Sequence, residues 1–326
     1  MNVIILDTGL SSIVHGPSII NQINLLAPES ADEDDNGHGT LCGSAIKYYS
    51  NTNVNFYSIK MLNEEKKSSS EYLIQALDYA KTIDIRIIHM SLSTTNLGKI
   101  DELKRIIKEL SNSGKIIVAS MPNSGKLGFP AALREVIGVD GALFNDHKTY
   151  WYNMFYRVQC VADRMPVMFK GPDKTFEMFG GTSKAASMMT ANICDILEQD
   201  HNMCYHDLEE ELMQEASQNE WSSRILASKK EYKYRARTIE TELEKEIKNV
   251  VEAFIYNKGY VVDKNMFTLY GYQPFLKNGD FQAILTLLEN HFNVTLPSYE
   301  GIDYTIFDDA VTLCNFFQEK VGVHGV

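Results

Sequence analysis

Three short stretches hold side chains that together could activate a hydroxyl group: Asp7 in VIILDTGL, His38 in NGHGT and Ser183 in GGTSKAAS. A serine hydroxyl is a weak nucleophile until a base takes its proton. An imidazole titrates near neutrality and can be that base. A carboxylate can hold the imidazole in one tautomer and stabilise the imidazolium that forms. The glycines beside His38 and ahead of Ser183 keep side-chain bulk away, so an extended polypeptide could approach. If Ser183 opens a helix over 184–197, its backbone N–H points at a developing oxyanion. A fourth stretch, ASMPNSG, ends a strand and delivers Asn123. Its side-chain N–H could donate to the same oxygen, an interaction of about 3 to 4 kcal/mol. Each stretch alone has a bland reading: DTG as a turn after a strand, GTS as a helix N-cap, Asn123 as a loop residue. Their joint presence favours the chemistry.

These groups need elements to bring them together. Residues 2–7 and 53–60 read as buried strands, and 71–82 as a helix with Leu73, Leu77 and Ala80 on one side. A strand at 85–90 precedes an amphipathic helix at 101–112, where Leu103, Ile106, Ile107 and Leu110 recur at helical spacing. Further strands read at 115–120 and 135–139. This alternation predicts an α/β fold, a parallel sheet with helices on both faces. Sites in such sheets lie at the carboxyl ends of strands, where Asp7, the Ser91 region and Asn123 fall. NGHGTLC reads as a loop and the acidic run 32–35 before it as solvated. His89 and Cys42 read as core packing.

Composition narrows the partners. The chain has 326 residues and a net charge of −12, which argues against nucleic acid and anionic membranes. No apolar run approaches the roughly 20 residues that span a bilayer, and the first residues lack the pattern of a signal peptide. Cysteines stand at 42, 160, 194, 204 and 314, without a CxxC pair. Neither a disulfide framework nor a zinc site is expected, and a reducing, cytoplasmic compartment is. No cofactor and no metal are expected. From 221 the composition shifts: Arg224, Lys229, Lys230, Lys233, Arg235 and Arg237 cluster. The basic stretch reads as a linker or an exposed helix, and the expected organisation is a first domain at 1–220, this basic linker at 221–238 and a helical domain at 239–326.

With IHMSLS at 88–93, FPAA at 129–132 followed by VIGV at 136–139, and the strand at 158–163, residues 1 to about 218 resemble a compact subtilisin-family serine protease (subtilase, peptidase family S8). The resemblance implies a subtilisin-like fold and serine endopeptidase activity. It implies Asp7, His38 and Ser183 as the triad and Asn123 as the oxyanion donor. Substrate would lie along Ser91 and Leu92, with the first specificity pocket walled by Ser120, Met121 and Pro122 and faced by Ser93. The chain departs from the family pattern here. Pro122 and Ser93 stand where the family has glycine, and Ser120 and Met121 replace smaller residues, so a tighter pocket is expected. The family's proline two turns into the serine helix is replaced by Ser187-Met188. No inhibitory pro-segment is expected, because Asp7 lies so near the N-terminus. The apolar spacing of 239–326 resembles an acyl carrier protein, a small all-α four-helix bundle. Such domains carry phosphopantetheine on a serine opening the second helix; here the corresponding LKNGD offers Asn278 and no serine. A docking or stabilising module is therefore expected. The expected function is an intracellular serine endopeptidase acting on a peptide or protein, set in maturation of a bacterial peptide product. The alternative is a catalytically impaired binding or regulatory protein with a subtilase shell, whose carrier-like domain docks a partner.

Overall fold

The computed structural model describes residues 1–27, 33–234, 237–263, 267 and 271–322. The chain divides into two compact units, the first of residues 1–165, 170–174 and 180–231, the second of 166–169, 175–179 and 232–326.

The first unit begins with β1 (Asn2–Asp7), α1 (Ser12–His15), β2 (Ile19–Asn24), α2 (His38–Tyr49), β3 (Asn55–Lys60), α3 (Ser70–Ala80) and β4 (Ile87–Met90). It continues with α4 (Ile100–Asn112), β5 (Ile116–Ser120), β6 (Ile137–Ala142), β7 (Tyr150–Tyr152) and β8 (Cys160–Asp163). The helices α5 (Gly181–Gln199), α6 (Tyr205–Glu215) and α7 (Ser223–Ser228) complete it. The strands form one sheet in the order β2-β3-β1-β4-β5-β6-β8-β7. All pairings are parallel except the edge strand β7, which runs antiparallel to β8. Strands of isoleucine and valine buried on both faces suit such a sheet. On one face Ile4, Leu6, Ile59, Ile88, Met90 and Ile117 pack against Leu73 and Leu77 of α3 and Leu103, Ile106, Ile107 and Leu110 of α4. The apolar spacing of those helices aims them at the sheet. The other face is covered by α2 and α5, which also contact each other.

Connections in a parallel sheet enter and leave at fixed ends, so the carboxyl ends of β1, β4 and β5 lie side by side. Asp7, Ser91 and Ser120 stand there. The end of β8 is joined to α5 by a buried ion pair between Asp163 and Lys184, both side chains fully inaccessible. Asp163 also accepts from Phe144 N–H at 3.1 Å and from His147 Nδ1 at 3.0 Å, and the Lys184 ammonium sits 5.3 Å from the centre of the Tyr49 ring.

The stretch 221–231 is not a free linker. Trp221 packs on Trp151 and Tyr156 at ring-centroid separations of 5.7 and 4.7 Å. Lys229 O accepts the Leu143 N–H at 2.7 Å and Lys230 pairs with Asp140 at 2.6 Å. One indole outweighs the run of charges that suggests an exposed tether; Arg235 lies outside the described residues. The second unit also departs from an all-α bundle. Beside α8 (Glu242–Asn257), α9 (Asn278–Phe292) and α10 (Ala310–Val321) it holds a two-stranded sheet of β9 (Val167–Lys170) and β10 (Phe176–Phe179). Met168, Phe176 and Met178 share a core with Leu243, Phe281, Leu285 and Phe317. These strands come from sequence more than sixty residues upstream of α8, so a reading of 239–326 alone misses them. No described helix is long and apolar enough to cross a membrane.

Removing one member of a buried ion pair strands its partner, at a cost of about 3 to 5 kcal/mol. Asp163→Ala is expected to destabilise the protein by that amount in chemical denaturation. Lys184→Met should cost less, because Asp163 keeps its contacts with Phe144 and His147.

Candidate active site

His38 is not in a loop; it is the first residue of α2. The acidic run ahead of it is not merely solvated either. Asp34 is buried, and its Oδ1 accepts the N–H groups of Asn36 (3.1 Å) and Gly37 (2.7 Å). Its Oδ2 accepts from Thr40 N–H (2.8 Å) and Thr40 Oγ1 (2.7 Å). One carboxylate thus satisfies several of the amide donors that a helix start leaves open. Asp35 pairs with Lys60 at 2.6 Å and Glu33 receives the Ser12 hydroxyl; Asp32 lies outside the described residues. The glycines flanking His38 have separate reasons. Gly37 has φ +93°, a left-handed conformation that glycine adopts freely. A Cβ at Gly39 would lie 2.2 Å from Gly9 O, so the first turn of α2 rests directly on the turn that follows β1.

That contact brings Asp7 to His38. Asp7 Oδ1 lies 2.7 Å from His38 Nδ1, and His38 Nε2 lies 3.0 Å from Ser183 Oγ. A carboxylate can only accept, so Nδ1 carries the proton of the neutral ring and Nε2 is left to accept from the hydroxyl. Asp7 Oδ1 also accepts the Thr8 N–H at 2.8 Å. Burial alone would raise the Asp7 pKa, but His38 and the Thr8 amide reverse this and hold it below its ordinary value. Burial opposes charge on His38, but the Asp7 carboxylate overrides it and raises the imidazole well above its usual value.

Asn123 approaches from the loop after β5. Its Oδ1 accepts from Thr182 N–H at 3.1 Å and Thr182 Oγ1 at 3.3 Å. Because an amide NH2 cannot accept the Thr182 N–H, this contact fixes which end of Asn123 faces the helix. The Nδ2 group is turned away from Thr182. Ser183 is the third residue of α5, and its N–H has no acceptor within the helix. Asn123 is thus held against the first turn of α5, next to Ser183 in the chain.

A family model for the subtilase family, peptidase S8, matches residues 3–237. The chain belongs to the subtilase family. It is 28% identical over 168 residues to an intracellular serine protease of Paenibacillus polymyxa, covering 47% of this chain and 51% of that one. It is 29% identical over 210 residues to the major intracellular serine protease of Bacillus subtilis (strain 168), covering 57% and 65%. The chain thus spans between half and two thirds of the length of these relatives. A crystal structure of a cold-adapted subtilisin-like serine proteinase superposes with a TM-score of 0.59 at 19% identity, covering 68% of this chain and 84% of the other. This gives the first unit its subtilisin-like α/β fold.

In this subtilase the remaining residues expected at the site fall into two groups. Ser91, Leu92 and Ser93 leave β4 along one side of the His38 region and, with Leu62, Lys66, Lys67, Leu73 and Thr94, line an open pocket of about 420 Å³ that reaches His38. Ser120, Met121 and Pro122 leave β5 on the opposite side; Ser120 and Met121 are buried, Pro122 partly so.

Two residues read as packing prove to be more. Cys42, expected to face the core, is fully buried with its Sγ 3.9 Å from both Asp7 Oδ2 and His38 Nδ1. Burial raises its thiol pKa, so it stays neutral and donates weakly to Asp7. These three side chains place potential metal-ligand atoms within 4.8 Å of one another, but those atoms are already engaged with each other. His89 is buried on β4, with Nε2 2.8 Å from Ser91 Oγ and Nδ1 2.8 Å from Thr190 Oγ1. Ser91 Oγ donates to Ser183 O at 3.2 Å. The Thr190 hydroxyl likewise donates to Ala186 O at 3.0 Å, so the ring is held between two hydroxyls that each also face a helix carbonyl, and the neutral ring donates to one of them and accepts from the other. Burial pushes the His89 pKa down to about 4, so it stays neutral. A histidine with a small hydroxyl residue two positions away, inside an otherwise apolar strand, is the signal that the sequence holds for this role.

Two outcomes follow from this geometry. An NMR titration should show His38 losing its proton above 6.5 in the wild type. In Asp7→Asn, where the carboxylate charge that opposes burial is gone, it should titrate at lower pH than in the wild type. His89→Leu removes the hydrogen-bond partner of Ser91 and should slow reaction of Ser183 with an active-site phosphonate about tenfold or more. His89→Gln, whose amide reaches the Nε2 position, should restore most of that rate even where both variants lose similar stability.

Proposed function

We propose that this chain is a serine endopeptidase that cleaves a peptide or protein substrate through Ser183, His38, Asp7 and Asn123. The observation that carries the reading is the hydrogen-bonded series from Asp7 through His38 to Ser183, at 2.7 and 3.0 Å. Ser183 Oγ attacks the scissile carbonyl as His38 Nε2 takes its proton. Asp7 stabilises the imidazolium formed at that moment. The negative charge on the carbonyl oxygen is met by Ser183 N–H and Asn123 Nδ2. The leaving amine takes its proton from His38, and a water repeats the sequence to release the acyl group.

The relatives named as intracellular proteases, and five cysteines all present as free thiols, support a cytoplasmic setting. Maturation of a bacterial peptide product is the setting we favour. For the second unit we propose a docking role, with the helical part carrier-like in its spacing. Asn278 opens α9, where a carrier would hold its modified serine, and its side chain donates to Glu177 at 3.0 Å. A hydrogen-bonded asparagine offers no hydroxyl for a phosphopantetheine ester.

A fluorophosphonate probe tests the enzymatic reading. It should label the wild type at Ser183, Ser183→Ala should not react, and Asn123→Ala should lower kcat by about 100- to 1,000-fold with little change in KM. A folded wild type that resists labelling would support instead a binding protein with a subtilase shell.

A further inference from the structure

The ends of β4 and β5 are neighbours in the sheet, with Met90 opposite Ala119. The segments that continue from them, 91–94 and 120–123, both reach the first turn of α5, through Ser91 to Ser183 O at 3.2 Å and through Asn123 to Thr182 N–H at 3.1 Å; Ser183 N–H and Asn123 Nδ2 are the two donors of the proposed mechanism. A carbonyl held by those donors would direct the side chain on its acyl side into the slot between the two segments. That slot is closed. Gly128 lies across it and is buried, and a Cβ built there would meet Pro122 Cδ at 2.5 Å, Pro122 Cγ at 2.6 Å and Ser93 Cβ at 3.1 Å. The space in front of Gly128 is thus taken up by the proline ring and the serine, which leaves the slot too shallow for a long side chain. Behind them the chain is sealed by paired backbone hydrogen bonds, Thr94 N–H to Phe129 O at 2.8 Å and Phe129 N–H to Thr94 O at 2.9 Å. That pairing holds Gly128 and the 91–94 segment together. On the His38 side, by contrast, the pocket lined by Leu62, Leu73 and Leu92 stands open at about 420 Å³.

We propose that Pro122, Ser93 and Gly128 restrict the residue on the acyl side of the scissile bond to glycine or alanine. Selection among substrates then falls to side chains farther along the peptide, received in the open pocket at Leu62, Leu73 and Leu92. This rests on the endopeptidase reading above and gives it a substrate class. Extra methylenes in a site without room are rejected by overlap, whereas an open hydrophobic pocket gains about 10- to 200-fold per methylene.

The test uses the full chain and an internally quenched peptide series, identical except for glycine, alanine, leucine, phenylalanine or lysine before the cleaved bond. Cleavage points are mapped by mass spectrometry. The wild type should cleave after glycine or alanine at least 100-fold faster, in kcat/KM, than after leucine or phenylalanine. Pro122→Gly with Ser93→Gly should reduce that ratio to about tenfold or less, and Ser93→Gly alone should reduce it partway. Wild-type cleavage after leucine or phenylalanine at a rate near that for alanine would overturn the proposal. So would an unchanged ratio in folded variants. Fluorophosphonate labelling, run in parallel, needs Ser183 and His38 but places nothing in the slot. Absent labelling would defeat the endopeptidase reading, whereas labelling with indifferent cleavage would defeat only the closed slot.

Discussion

A carboxylate buried without water is costly unless something charged or hydrogen-bonding repays its lost solvation. Asp7 is fully buried, and its repayment comes from His38 and the Thr8 amide. That single contact sets demands on the surrounding architecture. Asp7 must end a strand at the centre of the sheet, and His38 must open a helix pressed against the next turn. The approach of Gly39 to the Gly9 carbonyl achieves this, and it leaves no space for a β-carbon. Cys42, one helical turn after His38, closes the remaining side with a thiol too deeply buried to ionise. Asp7 is thereby sealed from solvent, while His38 keeps an exposed edge on the open pocket.

Much of this could be read from residue types. The helices α3 and α4 carry an apolar stripe dense enough to announce both their period and the face they bury. The central strands are runs of branched residues bounded by turn signals. Asp7, His38, Ser183 and Asn123 stand out because each has a glycine within two residues, which leaves a reactive side chain open to a substrate backbone. What escapes the sequence is local side-chain-to-backbone bonding and long-range pairing. Asp34 sits in a run of acids, and charge density there suggests solvent; only the folded chain shows its two oxygens taking four hydrogens. Trp221 is one residue in a basic stretch, yet its contact with Trp151 attaches the whole segment. β9 and β10 are short, and their core partners lie far along the chain.

The departures from the family pattern have different weights. Ser187 replaces the expected proline region in α5, and its hydroxyl donates back to Ser183 O at 3.0 Å. The helix there is continuous and its carbonyl is satisfied. Pro122 and Ser93 act elsewhere, in space that a substrate side chain would need. A proline beside Asn123 also has fixed φ, so it narrows the slot while limiting motion of the loop that carries the proposed oxyanion donor. One substitution therefore has consequences for both selectivity and precision.

The first turn of α5 shows how that precision is reached. Four successive residues are tied to separate strand ends. Gly181 N–H donates to Arg164 O at 2.9 Å, Thr182 N–H to Asn123 at 3.1 Å, and Ser183 O accepts from Ser91 at 3.2 Å, while Lys184 pairs with Asp163. The anchors come from the segments following β8, β5 and β4, and from β8 itself. None of them uses the Ser183 hydroxyl. The backbone of Ser183 is held from several directions, and among the described residues its Oγ is bonded by the imidazole. In the proposed mechanism, an attacking oxygen that must find a carbonyl within a few tenths of an ångström needs this division, since any additional bond to Oγ would compete with its proton transfer.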